Sequence, residues 1–186
     1  MMLYDGITLY HGSYVAVETP DLSKCREGKD FGKGFYLTTD KQQARRFVKT
    51  TIQKAVNDHV EGVDAKQGFL SVFRYRQNTE VKIHSFLEAD QSWLRCVAGH
   101  RRADLLPDEQ KKWRQYDLIC GKIANDRTNL VITTFLQGGY GDVTSKTAMD
   151  FAISLLMPER LKNQVCCRNE RSLQNLEFVK TERVII

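Results

Sequence analysis

Leu9-Tyr10-His11-Gly12-Ser13 and Phe31-Gly32-Lys33-Gly34-Phe35-Tyr36-Leu37 are the two stretches on which the reading of this chain turns. Ile7 to His11 alternates in the manner of a short strand, and it stops at Gly12-Ser13, where small residues allow the backbone to turn or to approach another group closely. In the second stretch two glycines stand directly before an aromatic strand, which predicts unusual dihedrals or a close ligand at that point. Together they outline two walls of a cleft.

Outward from this pair the periodicity alternates between helix and strand. Asp40 with Gln43 three residues later predicts a capped helix start, and Ala44, Phe47, Val48, Ile52, Ala55 and Val56 then recur at helical spacing. A helix is expected over Lys41 to His59, with that face against a sheet. Phe69 to Arg76 and Val81 to Ile83 read as strands, and Ser92 to His100 and Pro107 to Gln115 as short helices carrying Trp93 and Trp113 into core or groove positions. Tyr116 to Cys120 reads as a strand, followed by a helix from Thr128 or Asn129 to Gln137 and a glycine-rich loop over Gly138 to Asp142. Ala148, Phe151, Ala152, Leu155 and Leu156 form another helical stripe, closed by Pro158. Gln164 to Arg168 and Leu176 to Ile186 are late strands around a short helix over Arg171 to Asn175. No repeat or linker divides residues 1–186, so the expectation is one α+β domain.

Composition narrows the function classes. Of 186 residues, 41% are hydrophobic and 27% charged, as in an ordinary globular domain, and nothing approaches the length of a membrane span. A formal charge of +5 is spread over short clusters such as Arg45-Arg46, Arg101-Arg102 and Lys111-Lys112, read as solvated faces, so nucleic-acid binding is permitted but not implied. The five cysteines, Cys25, Cys96, Cys120, Cys166 and Cys167, are odd in number and lack C-x-x-C spacing, which predicts reduced, mostly buried thiols. A cytoplasmic protein is expected. His11, His59, His84 and His100 show no ligand spacing with cysteine or carboxylate, so no metal is expected. Lys33 lies in a Gly-Lys-Gly run without the rest of a phosphate-loop signature, and no Gly-x-Ser-x-Gly nucleophile elbow is present.

The order Tyr10-His11-Gly12-Ser13, then Gly32-Lys33-Gly34-Phe35-Tyr36, resembles the first two signature elements of the histidine-tyrosine class of ADP-ribosyltransferases, which includes diphtheria-type toxins and poly-ADP-ribose polymerases. It looks closest to an uncharacterised bacterial branch of that superfamily, which also shares the Tyr116 to Asp126 segment and the Gln164-Val-Cys-Cys ending. The resemblance implies two small sheets forming an NAD cleft, flanked by helices. It implies a pocket lined by His11, Gly12, Ser13, Asp30, Gly34, Phe35 and Tyr36. Gly12 would offer its backbone to the nicotinamide amide, Tyr36 would stack on the nicotinamide ring, and His11 would donate to the adenosine-side ribose.

At the third signature position Gln164 stands where the best-known members carry a glutamate. Glutamine can bond a ribose hydroxyl but brings no charge to an oxocarbenium-like state. The resemblance therefore implies a mono-ADP-ribosyltransferase, with His11, Tyr36 and Gln164 as its catalytic residues. The alternatives are an NAD glycohydrolase and an inactive NAD or ADP-ribose binder that acts through a protein partner. Asp30, Asp126 and Asp142 are candidates for the missing charge, with Asp30 first. The acceptor would be a macromolecule, protein before nucleic acid. A toxin or effector role, with a neutralising antitoxin protein, belongs to the same expectation.

Overall fold

The computed structural model describes residues 2–123, 126–157 and 161–186, with Asp126 and Arg127 as backbone only. Its elements in chain order are β1 (Thr8–Ser13), a 3₁₀ turn (Leu22–Lys24), β2 (Phe35–Leu37), α1 (Lys41–Asn57), β3 (Gln67–Tyr75), β4 (Ile83–Ser85), α2 (Gln91–Arg101) and α3 (Pro107–Trp113). There follow β5 (Leu118–Lys122), α4 (Asp126–Leu136), α5 (Lys146–Leu156), β6 (Asn163–Cys167), α6 (Glu170–Leu173) and β7 (Leu176–Ile185). The chain is α+β. Pro158 and the Ala124-Asn125 pair, both used in the sequence argument, lie outside the described residues, as does the side chain of Asp126.

The strands form two sheets, β1-β3-β7 and β2-β6-β5-β4, in which only β4 and β5 run parallel. Side-chain alternation sorts the core into layers. Leu9 and Phe73 from the first sheet meet Phe35, Leu37, Leu118, Cys120, Val165 and Cys167 from the second. The opposite face of the second sheet, with Ile119 and Cys166, packs under α2 to α5 around Phe31, Trp93 and Trp113. On the outer face of the first sheet, α1 sets Ala44, Val48 and Ile52 against Leu70 and Val184.

Helix α1 begins as expected, with the Asp40 carboxylate accepting from Gln43 N at 3.0 Å. The reciprocal half of a capping box is replaced: Gln43 Oε1 accepts from the Thr38 hydroxyl at 3.2 Å, and Asp40 N donates to that hydroxyl at 3.1 Å. The buried stripe is narrower than the sequence suggests. Phe47 and Val56 are 46% and 42% exposed, because at 100° per residue they fall on the flanks of the line through Ala44, Val48, Ile52 and Ala55. Phe151 and Leu155 likewise face outward from α5, while Met149 takes a buried place. Both tryptophans are core residues, not groove residues. The second predicted strand lies at Ile83–Ser85 rather than beginning at Val81. Four cysteines are buried, Cys25 is half-buried and all are free thiols. No helix among the described residues is long and apolar enough to cross a membrane.

Glycine at position 12 is required by packing alone. A Cβ there would lie 2.1 Å from Ala44 O in α1. Gly12→Ala is therefore expected to lower stability by roughly 1–3 kcal/mol. Denaturant unfolding measures this, and an unchanged midpoint would remove the packing account.

Candidate functional site

The two sheets are joined by one isolated antiparallel bridge, Tyr10 with Thr38. Tyr10 N donates to Thr38 O at 2.8 Å and Thr38 N to Tyr10 O at 3.0 Å. In an antiparallel pair the outward-pointing backbone groups alternate, so the N–H and C=O of Gly12 leave β1 on the same edge as those of Tyr10. The register of the bridge places Gly12 opposite Tyr36, whose carbonyl faces back toward β1. The ladder does not continue there. His11 Nδ1 lies 2.7 Å from Tyr36 O and takes that acceptor instead. The imidazole packs at a tilt on the Phe35 ring with ring centroids 4.3 Å apart, and among the described residues no backbone bond joins β1 to β2 beyond it. Among the described residues no other segment bonds the backbone of Gly12.

A carbonyl can only accept, so the proton of neutral His11 resides on Nδ1 and Nε2 is an acceptor. Burial lowers the His11 pKa, partly opposed by the bond to Tyr36 O, which favours the neutral ring. The expectation that neutral His11 donates to a ligand is corrected accordingly: its one ring proton is already committed.

Tyr36 projects to the other face of β2, beside Cys166, which is its register partner on β6. The Tyr36 hydroxyl donates to Gly32 O at 2.8 Å and accepts from Phe31 N at 2.9 Å. Burial pushes this phenol well above its ordinary pKa, so it stays protonated. With the hydroxyl engaged, the ring is what Tyr36 presents. Phe31 is fully buried, and a Cβ on Gly121 would lie 2.9 Å from its ring, so β5 seats the Asp30–Lys33 loop across β2 and β6.

That loop brings Asp30 to the third predicted position. Gln164 Nε2 donates to Asp30 Oδ2 at 2.8 Å and to Lys122 O at 3.2 Å. Both partners are acceptors, which fixes the amide orientation and turns Oε1 away from them. Asp30 Oδ1 in turn accepts from Arg101 Nε at 3.0 Å and Nη2 at 2.5 Å. Gln164 and Asp30 are 4% and 7% exposed, so carboxylate and guanidinium form a largely buried pair. Arg101 also donates to Asn129 Oδ1 at 2.7 Å.

The structure thus ties His11 to Tyr36 and Gln164 to Asp30. Ser13 is buried with its hydroxyl 3.4 Å from Val15 N, within a turn at the end of β1. Gly34 has a packing reason of its own, since a Cβ would lie 2.4 Å from Cys166 Sγ. Lys33 is exposed. Asp142 is not part of this network: it caps its own loop through Thr144 at 2.7 Å. Arg101 was missed, because a basic pair on a helix reads as a solvated face. Arg102 fits that reading, paired with Asp104 at the surface, whereas Arg101 turns inward. Among the described residues no group of three or more His, Cys, Asp or Glu is arranged to hold a metal.

A model of the family described as "Protein of unknown function (DUF3990)" matches residues 7–178, from the strand of His11 through β6 and into β7. The chain belongs to this family. No curated protein matches it. The matched span contains every residue of the network just described, including Arg101.

The geometry makes Gln164 and glutamate non-equivalent at this site. Gln164→Glu sets a second carboxylate against Asp30 and removes the donor that Asp30 and Lys122 O share. The new group is held above its unfolded pKa of about 4.3. Its penalty is therefore absent below that pH, grows as pH rises through the elevated folded value, and reaches roughly 1–4 kcal/mol at neutral pH. Unfolding of the two proteins at pH 4 and pH 7.5 checks this, and an equal difference at both would refute it.

Proposed function

We propose that this chain is an NAD-dependent mono-ADP-ribosyltransferase acting on a macromolecule. The observation that carries the reading is the parting of β1 and β2 at the His11 to Tyr36 carbonyl bond, beside a Gly12 backbone edge with no partner from another segment. An amide of a flat ring requires a donor and an acceptor side by side, and such an edge offers both. The Tyr36 ring supplies a face for the nicotinamide. His11 Nε2 accepts from a ribose hydroxyl on the adenosine side, and Gln164 Oε1 accepts from the nicotinamide-ribose 2′-hydroxyl.

In the reaction the bond between ribose C1′ and the nicotinamide nitrogen breaks, and nicotinamide leaves with the electron pair. A nucleophile of the acceptor forms the new bond to C1′ and loses its proton. The cationic character that develops at the ribose is met by oriented dipoles and by Asp30 behind Gln164. Arg101 offsets much of the Asp30 charge. That compensation supports one transfer to a macromolecule, protein before nucleic acid, over repeated elongation. It also favours, as the second reading, an NAD-binding protein without turnover. Such activity on a host or self target is often toxic, so a toxin or effector role with a neutralising partner protein belongs with the leading reading.

The test is incubation with labelled NAD and cell extract, following free nicotinamide and label on protein and nucleic acid. His11→Ala and Tyr36→Ala are expected to weaken NAD binding about tenfold or more. Because His11 acts as an acceptor in its neutral form and burial holds its pKa below the ordinary imidazole value, native affinity should hold down through that ordinary value and fall only at more acidic pH, and the fall should vanish in His11→Ala. Nicotinamide release without labelled macromolecule identifies a glycohydrolase, and binding without release identifies the inactive binder. Absence of NAD binding would sink all of these readings.

A further inference from the structure

Gln164 and Cys166 share one face of β6, and Arg168 continues that row one step beyond the strand end, roughly 13 Å from Gln164. It lies in a groove of about 590 Å³ between the Glu27–Lys33 segment, the ends of α2 and α3, and the start of α6. We propose that this groove is a phosphoryl-binding site, with the Arg168 guanidinium at its floor and Lys33 and Arg114 at its sides. It does not depend on the NAD reading.

Arg168 carries one unmatched donor. Arg168 Nη1 donates to Trp113 O, and to Tyr116 O at 3.3 Å. Its Nη2 faces His100 Nε2 at 3.4 Å. His100 Nδ1 is 2.8 Å from Cys96 O, so the ring proton sits on Nδ1 and Nε2 is the acceptor for Arg168. These contacts hold the guanidinium still while leaving Nε, a buried nitrogen, without any acceptor. A buried unmatched donor on a cation is costly. Among the described residues Arg168 has no carboxylate partner, and neither do Lys33 and Arg114.

Three cations without carboxylate partners around one groove call for an oxyanion, and a phosphoryl group offers enough oxygens for several of them at once. The carboxylates at the rim, Glu27 and Glu170, are exposed, where solvent screens them more than it screens the floor. Gly32 completes the fit. A Cβ there would lie 2.6 Å from His100 Cδ2, so the loop that carries Lys33 lies directly on the histidine that holds Arg168. The same loop carries Asp30 to Gln164 and bonds the Tyr36 hydroxyl, so an anion in the groove bears on the predicted NAD pocket from its far side.

Titration with inorganic pyrophosphate at constant ionic strength, against a sodium chloride control, tests the site. Saturable binding is expected, weakened at least about tenfold in Arg168→Lys, which keeps the charge and loses the fork. Lys33→Ala with Arg114→Ala alters only exposed side chains and should weaken binding similarly, so the test survives if Arg168 variants fail to fold. His11→Ala, on β1 and outside the groove lining, should leave pyrophosphate affinity within about twofold, which separates the phosphoryl contacts from the ribose and nicotinamide contacts of the NAD reading. Competition between pyrophosphate and NAD would assign the groove to the diphosphate of that ligand, and its absence to a separate phosphorylated ligand. Non-saturable binding, or equal affinity in the native protein and the Lys33/Arg114 variant, overturns the proposal.

Discussion

The hydrogen bond from His11 to the Tyr36 carbonyl decides how the two sheets meet. Had Gly12 paired with Tyr36, β1 and β2 would have zipped together past the Tyr10–Thr38 bridge, and one continuous sheet would have resulted. The imidazole takes the acceptor that the ladder needs, and packing on Phe35 keeps the ring in place. A net contribution of about 1 kcal/mol is typical for one such bond, but its structural effect is larger than its energy, because it leaves a backbone edge open between two otherwise closed layers.

The second constraint is electrostatic. A glutamine in place of a charged residue looks like a loss when only its own position is considered. Within the fold its amide is one end of a chain running from Arg101 through Asp30 to Gln164 and Lys122 O. The charge is present on the neighbouring Asp30, partly neutralised by two guanidinium N–H groups that share its Oδ1. The amide orientation is thereby determined, so Gln164 offers a ligand an acceptor and no proton. In the NAD reading we propose, such an arrangement favours hydroxyl donors and stabilises developing positive charge less than a free carboxylate would.

Periodicity made most of the framework legible: β1, α1 with its Asp40 cap, β3, the two tryptophan helices and the late strands around α6 all follow from residue spacing. Phe47, Val56, Phe151 and Leu155 misled because an apolar residue on the flank of a helical stripe is indistinguishable in sequence from one at its centre. The sheet orders were not legible, since β2 and β6 are brought together across the whole central part of the chain and no local signal encodes that pairing. Arg101 was hidden for a related reason. Its partner Asp30 lies on a distant loop, and a charged pair at that separation leaves no spacing to read. Asp30 itself was found because it stands directly before the motif that positions it.

The motif glycines need a different argument from the one usually attached to them. Gly12 is excluded from bearing a side chain by Ala44 O, and Gly34 by Cys166 Sγ and Cys167 O, so both would be required in a protein that bound nothing. Their presence alone therefore carries no weight for a ligand. What distinguishes Gly12 is the direction of its backbone: alternation points its N–H and C=O away from β3, and His11 keeps β2 from taking them. Packing accounts for the missing side chain, and only the parted strands account for the missing partner. A polar edge of this kind, at the seam between two sheets, is costly unless water or a ligand completes it. The functional reading rests on that edge rather than on the glycine.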